Sequence, residues 1–121
     1  MQKTVLVIDD SATVRTQLRQ VLSGGGYRVL EAEDGARGIE QAEAHEVDMM
    51  IVDVNMPVMD GITMVSRLRQ SPKHAATPIF MLTTEASRDV VARGKAAGAN
   101  AWIVKPFKPD LLLKGVRKVL S

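Results

Sequence analysis

The chain has 121 residues, 45% hydrophobic and 25% charged, with a formal net charge of +2, a length that suits one domain, residues 1–121, with one sizeable core. It contains no cysteine, which excludes a disulfide framework and a thiolate metal site. Charges of both signs are interspersed, so no clustered basic face offers itself to nucleic acid, and no apolar run is long enough to span a bilayer.

No signal-peptide pattern precedes the first apolar run, so a reducing cytosol is the expected compartment. Thr4-Val5-Leu6-Val7-Ile8 is largely β-branched and reads as a strand covered on both faces. It ends in Asp9-Asp10-Ser11. A helix follows, with Ser11 as N-cap. Val14, Leu18, Val21 and Leu22 form its inner stripe, while Arg15, Gln17, Arg19 and Gln20 fall on the other face. Gly24-Gly25-Gly26 stops it. Tyr27–Ala32 is a second strand whose charges suggest an edge. Asp34-Gly35 turns into a second helix, roughly Ala36 to Ala44. Asp48 to Val52 is a third strand, too short for a core helix and followed by Asp53, Pro57 and Asp60-Gly61. Residues 61–69 form a third helix with Ile62, Met64, Val65 and Leu68 inward, stopped by Ser71-Pro72. Ile79–Leu82 is a fourth strand ending in Thr83-Thr84-Glu85. Ser87 caps a fourth helix, Arg88 to Ala97, with Gly98 just beyond it. Gly94 inside that helix costs about 1 kcal/mol against Ala, which makes this the loosest helix expected. Ala101–Val104 is a fifth strand ending in Lys105-Pro106. Pro109 opens the last helix, with Leu112, Val116, Val119 and Leu120 inward and Lys114, Arg117 and Lys118 outside.

Strand and helix alternate five times. This predicts an α/β fold, a doubly wound parallel sheet with helices on both faces. Ligands of such sheets bind at the carboxyl ends of the strands. Four strands end there in a functional group: Asp9-Asp10, Asp53, Thr83 and Lys105. Each alone is ordinary, since aspartates after strands usually cap helices or form turns. Jointly they place three carboxylates and one ammonium at the expected ligand site. Two carboxylates ~4 Å apart at an effective dielectric near 20 repel by about 4 kcal/mol, so three ionised together need countercharge. Lys105 offsets one. A hard divalent cation would offset the rest, and all-oxygen ligation favours Mg²⁺. A cation, a carboxylate nucleophile, a lysine and a hydroxyl are the parts for phosphoryl transfer. No GxxxxGK[ST] loop is present, so no bound nucleotide is expected.

These residues resemble the receiver domains of two-component response regulators, over the whole chain. The resemblance rests on Asp9-Asp10, on Asp53 followed by Asn55-Met56-Pro57 and Asp60-Gly61, on Thr83, and on Lys105-Pro106-Phe107. The chain stops after the fifth helix, as in stand-alone chemotaxis receivers of the CheY-like type, and Met1 with a helix running to Ser121 suggests a natural whole. The resemblance implies the flavodoxin-like strand order 2-1-3-4-5. It implies that Asp53 accepts a phosphoryl group from a histidine kinase. It also implies that Asp10, Asp53 and the Asn55 carbonyl hold Mg²⁺, with Asp9 acting through water. Lys105 would pair with a phosphoryl oxygen, the Lys105–Pro106 peptide would be cis, and Thr83 would move to the phosphoryl group as Trp102 turns inward. That position usually holds Tyr or Phe; Trp is bulkier and its N–H wants a partner, and plain packing against the fourth helix is the competing expectation. Asn55 and Glu85 would tune autodephosphorylation, with Thr84 slowing it by narrowing access for water. The surface of helix four, strand five and helix five would read out the switch to a protein target such as a flagellar motor switch. The protein is expected to be a cytoplasmic monomer without membrane or nucleic-acid partners.

Other expectations compete. The protein would instead relay phosphate to another kinase or drain it from a shared one. A Mg²⁺-dependent aspartyl-phosphate phosphatase is a further alternative, but Asp53-Val54-Asn55 lacks the second carboxylate of a D-x-D pair. A flavin-binding protein on the same architecture is disfavoured by the acidic strand ends. Turnover of a foreign substrate is therefore not expected. His45 and His74 lie in polar surroundings and are expected at the surface. Most methionines read as core filler, with Met56 and Met59 on the loop after Asp53.

Overall fold

The computed structural model describes residues 2–120; Met1 and Ser121 lie outside the described residues. The chain runs β1 (Thr4–Ile8), α1 (Ala12–Gly24), β2 (Arg28–Ala32), α2 (Gly35–Ala44), β3 (Met49–Asp53), α3 (Gly61–Arg69), a 3₁₀ turn (Pro72–His74), β4 (Ile79–Thr83), α4 (Arg88–Ala97), β5 (Ala101–Val104) and α5 (Pro109–Leu120). The strands form one parallel sheet in the order β2-β1-β3-β4-β5, as the alternation and the resemblance imply. Strand residues alternate between two apolar layers. Leu6, Ile8, Met50, Val52 and Met81 face one core with Met64, Val65 and Leu68 of α3. Val5, Val7, Ile51 and Leu82 face the other, with Leu18 and Leu22 of α1 and Leu112 and Val116 of α5. The continuous apolar runs of β1 and β3 are thus explained by burial on both faces.

Registration aligns the strand ends that carry polar groups. Ile8 pairs with Val52, Asp53 with Leu82 and Thr83 with Val104. β3 and β4 each run one residue further than sequence pattern suggests, because pairing continues through Asp53 and up to Thr83. The helices are capped as their sequences direct. The side chains of Ser11, Asp34, Asp60 and Ser87 accept from Val14, Arg37, Thr63 and Val90 N–H groups. Gly98 ends α4 at φ +111°, a left-handed conformation that favours glycine.

Three sequence expectations are corrected here. His74 is 1% exposed, not a surface residue. The 3₁₀ turn folds it beneath α2, where its Nε2–H donates to the Ala42 carbonyl at 2.9 Å and Nδ1 accepts from the Thr77 hydroxyl at 3.0 Å. A carbonyl can only accept, which fixes that tautomer. His45, the C-cap of α2, is half-buried, with Nδ1 3.2 Å from the Gln41 carbonyl. Val119, expected inward, is 38% exposed; the inner stripe of α5 narrows to Leu112 and Val116, with Leu120 half-buried. Among the described residues no helix is long and apolar enough to cross a membrane.

Candidate functional site

The carboxyl edge of the sheet gathers the charged residues. Asp9 follows β1 and is fully buried; Asp53 ends β3 and is 4% exposed; Asp10 is exposed. One carboxylate oxygen from each lies within 4.8 Å of the others. Lys105, after β5, reaches into the cluster. Its Nζ stands 2.9 Å from Asp9 Oδ2 and 3.4 Å from Asp53 Oδ1. The chain places it there by pairing: the Lys105 N–H donates to the Thr83 carbonyl at 2.7 Å, and the Lys105–Pro106 peptide is cis.

Asp53 is set by backbone. The Val54 N–H donates to Leu82 O at 3.0 Å and the Gly61 N–H to Val54 O at 2.9 Å. A Cβ on Gly61 would stand 2.1 Å from the Asp53 carbonyl oxygen, so only glycine lets the start of α3 lie against the end of β3. The loop between them is tight: the Met59 N–H donates to Pro57 O at 2.7 Å across Val58, which holds φ +68° and is 83% exposed.

The electrostatics follow from this burial. Desolvation pushes Asp53 up from 3.8 to about 6, and the Asp9 charge adds to the rise; Lys105 and the Asn55 backbone N–H oppose it. Burial alone would lower Lys105, but its contacts with Asp9 and Asp53 outweigh that, and its pKa is raised. Asp9 is held at every polar atom but one. Its N–H donates to Ala32 O, Oδ1 accepts from the Ser11 N–H at 2.8 Å, and its carbonyl accepts from Arg15 Nη1 at 2.5 Å. Oδ2 has the ion pair to Lys105 but no directed hydrogen bond. A buried carboxylate oxygen with free lone pairs, beside two more carboxylates, is a donor set for a hard cation. The three aspartates fit a divalent metal, and the group is able to hold one.

The remaining residues are placed around this cluster rather than in it. Thr83 is buried, and its hydroxyl donates to Glu85 O at 3.0 Å and accepts from the Glu85 N–H at 3.1 Å. Asn55, Thr84 and Glu85 are exposed. Thr84 lines a groove with Lys105, Pro106, Phe107 and the Val14–Val21 face of α1. Trp102 packs with the core beneath α4. A Cβ on Gly94 would stand 2.6 Å from its Cζ2, and Nε1 is buried without a partner. Arg15, placed by periodicity on the outer face of α1, instead turns back to the strand end, its side chain 17% exposed. Helical side chains lean toward the N-terminus, so a long residue one turn into a helix that follows a strand was the available signal.

Comparison with known proteins agrees with this geometry. The model of the response regulator receiver domain family matches residues 5–117. The chain is 40% identical over 119 residues to chemotaxis protein CheY1 of Helicobacter pylori, covering 97% of this chain and 96% of that one. It is 34% identical over 122 residues to chemotaxis protein CheY of Bacillus subtilis, covering 100% of both. The crystal structure of chemotaxis protein CheY4 of Vibrio cholerae superposes with a TM-score of 0.95 at 42% identity, covering 98% of this chain and 99% of that one. With its acidic cluster, its lysine and its strand order, this chain belongs to the receiver-domain family of two-component response regulators.

Proposed function

We propose that Asp53 accepts a phosphoryl group from a histidine kinase, and that the phosphorylated domain acts as a switch in chemotaxis. What carries this reading is the Lys105 ammonium lying between Asp9 and Asp53, beside three aspartates whose carboxylate oxygens lie within 4.8 Å of one another. At neutral pH Asp53, with its pKa near 6, is mostly ionised and able to attack phosphorus. The phosphorus–nitrogen bond of the donor breaks as the bond to Asp53 oxygen forms, and the electron pair leaves on the imidazole. Lys105 then has a phosphoryl oxygen to pair with in place of the lost carboxylate charge. Asp9, Asp10 and Asp53 would hold Mg²⁺, with the Asn55 carbonyl. When bound, Mg²⁺ supplies positive charge that offsets both the carboxylates and the phosphoryl oxygens.

The readout follows from Thr83. Its hydroxyl holds the start of the β4–α4 loop through Glu85. Turning that hydroxyl to a phosphoryl oxygen would release the loop and shift α4 against Trp102 and β5. The surface of α4, β5 and α5 carries exposed Val104 and Leu111, and we read it as the docking face for a protein target such as a flagellar motor switch. On this reading residues 1–121 act as one cytoplasmic, monomeric switch domain whose only chemistry is on its own phosphoryl group. Asn55 and Glu85 set the lifetime of that group, lengthened by Thr84.

Intact mass after incubation with acetyl phosphate and Mg²⁺ tests the acceptor. One labile phosphoryl adduct is expected, dependent on Mg²⁺ and absent from Asp53→Asn. An adduct that survives in Asp53→Asn would remove Asp53 from this role.

A further inference from the structure

We propose that Arg15 is a positioning residue for the carboxylate pair Asp9–Asp10, holding the peptide between them in the orientation that divalent-cation binding needs. The inference rests on reading the acidic cluster as a Mg²⁺ site. The carbonyl that accepts from Arg15 Nη1 is that of Asp9. It therefore belongs to the peptide plane that joins Asp9 to Asp10, and fixing that plane fixes the direction in which Asp10 leaves the strand. Asp10 needs such help. Asp9 is buried and anchored through its N–H and Oδ1, whereas Asp10 is exposed and lies between the end of β1 and the cap of α1.

Arg15 is itself held. Its Nε lies 3.4 Å from Glu31 Oε1 on β2, and the other Glu31 oxygen accepts from Arg19 Nη1 at 2.9 Å. The Arg15 and Glu31 side chains are 17% and 27% exposed, whereas Arg19 is 51% exposed. A solvated ion pair on a helix face contributes little. Here the guanidinium is mostly covered and spends a donor on a main-chain carbonyl of the site, which a surface pair does not do. Glu31 also balances the Arg15 charge, so its influence on the cluster is through geometry more than field. Loss of a partner that orients a metal ligand weakens metal binding by roughly 10- to 100-fold; Arg15 acts one step further out, on the peptide that joins two of the carboxylate residues.

A simple charge role gives the opposite sign. A cation near a cation site weakens binding, so removing its charge would tighten Mg²⁺. Calorimetric titration of Mg²⁺ into wild type, Arg15→Gln, Arg15→Lys and Arg19→Gln separates these cases, with thermal unfolding of each metal-free protein alongside. Arg15→Gln is expected to bind Mg²⁺ about tenfold more weakly or worse. Arg15→Lys, which keeps the charge but cannot reach both the Asp9 carbonyl and Glu31 with a planar fork, is expected to fall between; it also serves if Arg15→Gln fails to fold. Arg19→Gln is expected to bind within about twofold of wild type. Affinity in folded Arg15→Gln or Arg15→Lys that stays at the wild-type value, or tightens, overturns the role of Arg15 while leaving the functional reading intact. Wild-type protein that binds no Mg²⁺ overturns that reading and this inference with it.

Discussion

Asp53 combines two demands that oppose each other. As the proposed phosphoacceptor it must be buried enough to exclude competing water and charged enough to attack. Burial, then the charge of Asp9, hold it near 6 rather than 3.8. The folded protein therefore binds this proton more tightly than the unfolded chain. The stabilisation is complete below the unfolded value and is lost as pH rises through about 6. A shift of this size corresponds to about 3 kcal/mol. Urea unfolding of metal-free wild type and Asp53→Asn at several pH values isolates this group by difference. Wild type is expected to lose about 2 kcal/mol relative to the variant between pH ~4 and ~7. A difference that does not change with pH would contradict the electrostatic account of the cluster.

At the scale of elements, α4 is the least buried of the five α-helices, and its single buried residue is Gly94. A central glycine weakens a helix by about 1 kcal/mol. The structure adds a reason for it: the ring of Trp102 occupies the space a Cβ would need. The far end of α4 is tied differently. Arg69 of α3 donates to the Gly98 carbonyl from Nε and Nη2 at 3.1 and 2.8 Å, and to the Asn100 side chain. Gly94→Ala should gain helix propensity and still destabilise the protein by about 1–2 kcal/mol, because overpacking a ring is worse than the propensity gain. In a Trp102→Leu background the same substitution should become neutral or stabilising by up to about 1 kcal/mol. Denaturant midpoints of the four proteins form the cycle. An equal effect of Gly94→Ala in both backgrounds would show that the two residues do not interlock.

At the scale of the molecule, the strand–helix alternation and the polar strand ends were legible in the sequence because both are local patterns. Apolar runs of four or five residues read as buried strands, and the polar group after four of them (Asp9, Asp53, Thr83 and Lys105) was visible without any knowledge of its neighbours. What escaped depends on contacts between distant parts of the chain. The burial of His74 arises from Ala42, thirty-two residues away. Gly94 is explained only by Trp102 across from it, and Arg15 only by the strand end to which it folds back. Val119 has the right spacing for the core, yet it is 38% exposed, because α5 buries only Leu112 and Val116.

On the proposed function, a change at Asp53 reaches the α4–β5–α5 surface through Thr83. Amide hydrogen exchange with and without beryllofluoride and Mg²⁺, a stable stand-in for the phosphoryl group, measures that transmission directly. Altered exchange is expected at the β4–α4 loop and through α4, β5 and the start of α5, with β1, β2 and α2 unchanged, and no response in Thr83→Ala outside the immediate site. A wild-type adduct that leaves α4, β5 and α5 exchanging as before, or a Thr83→Ala protein that responds like wild type, would contradict it.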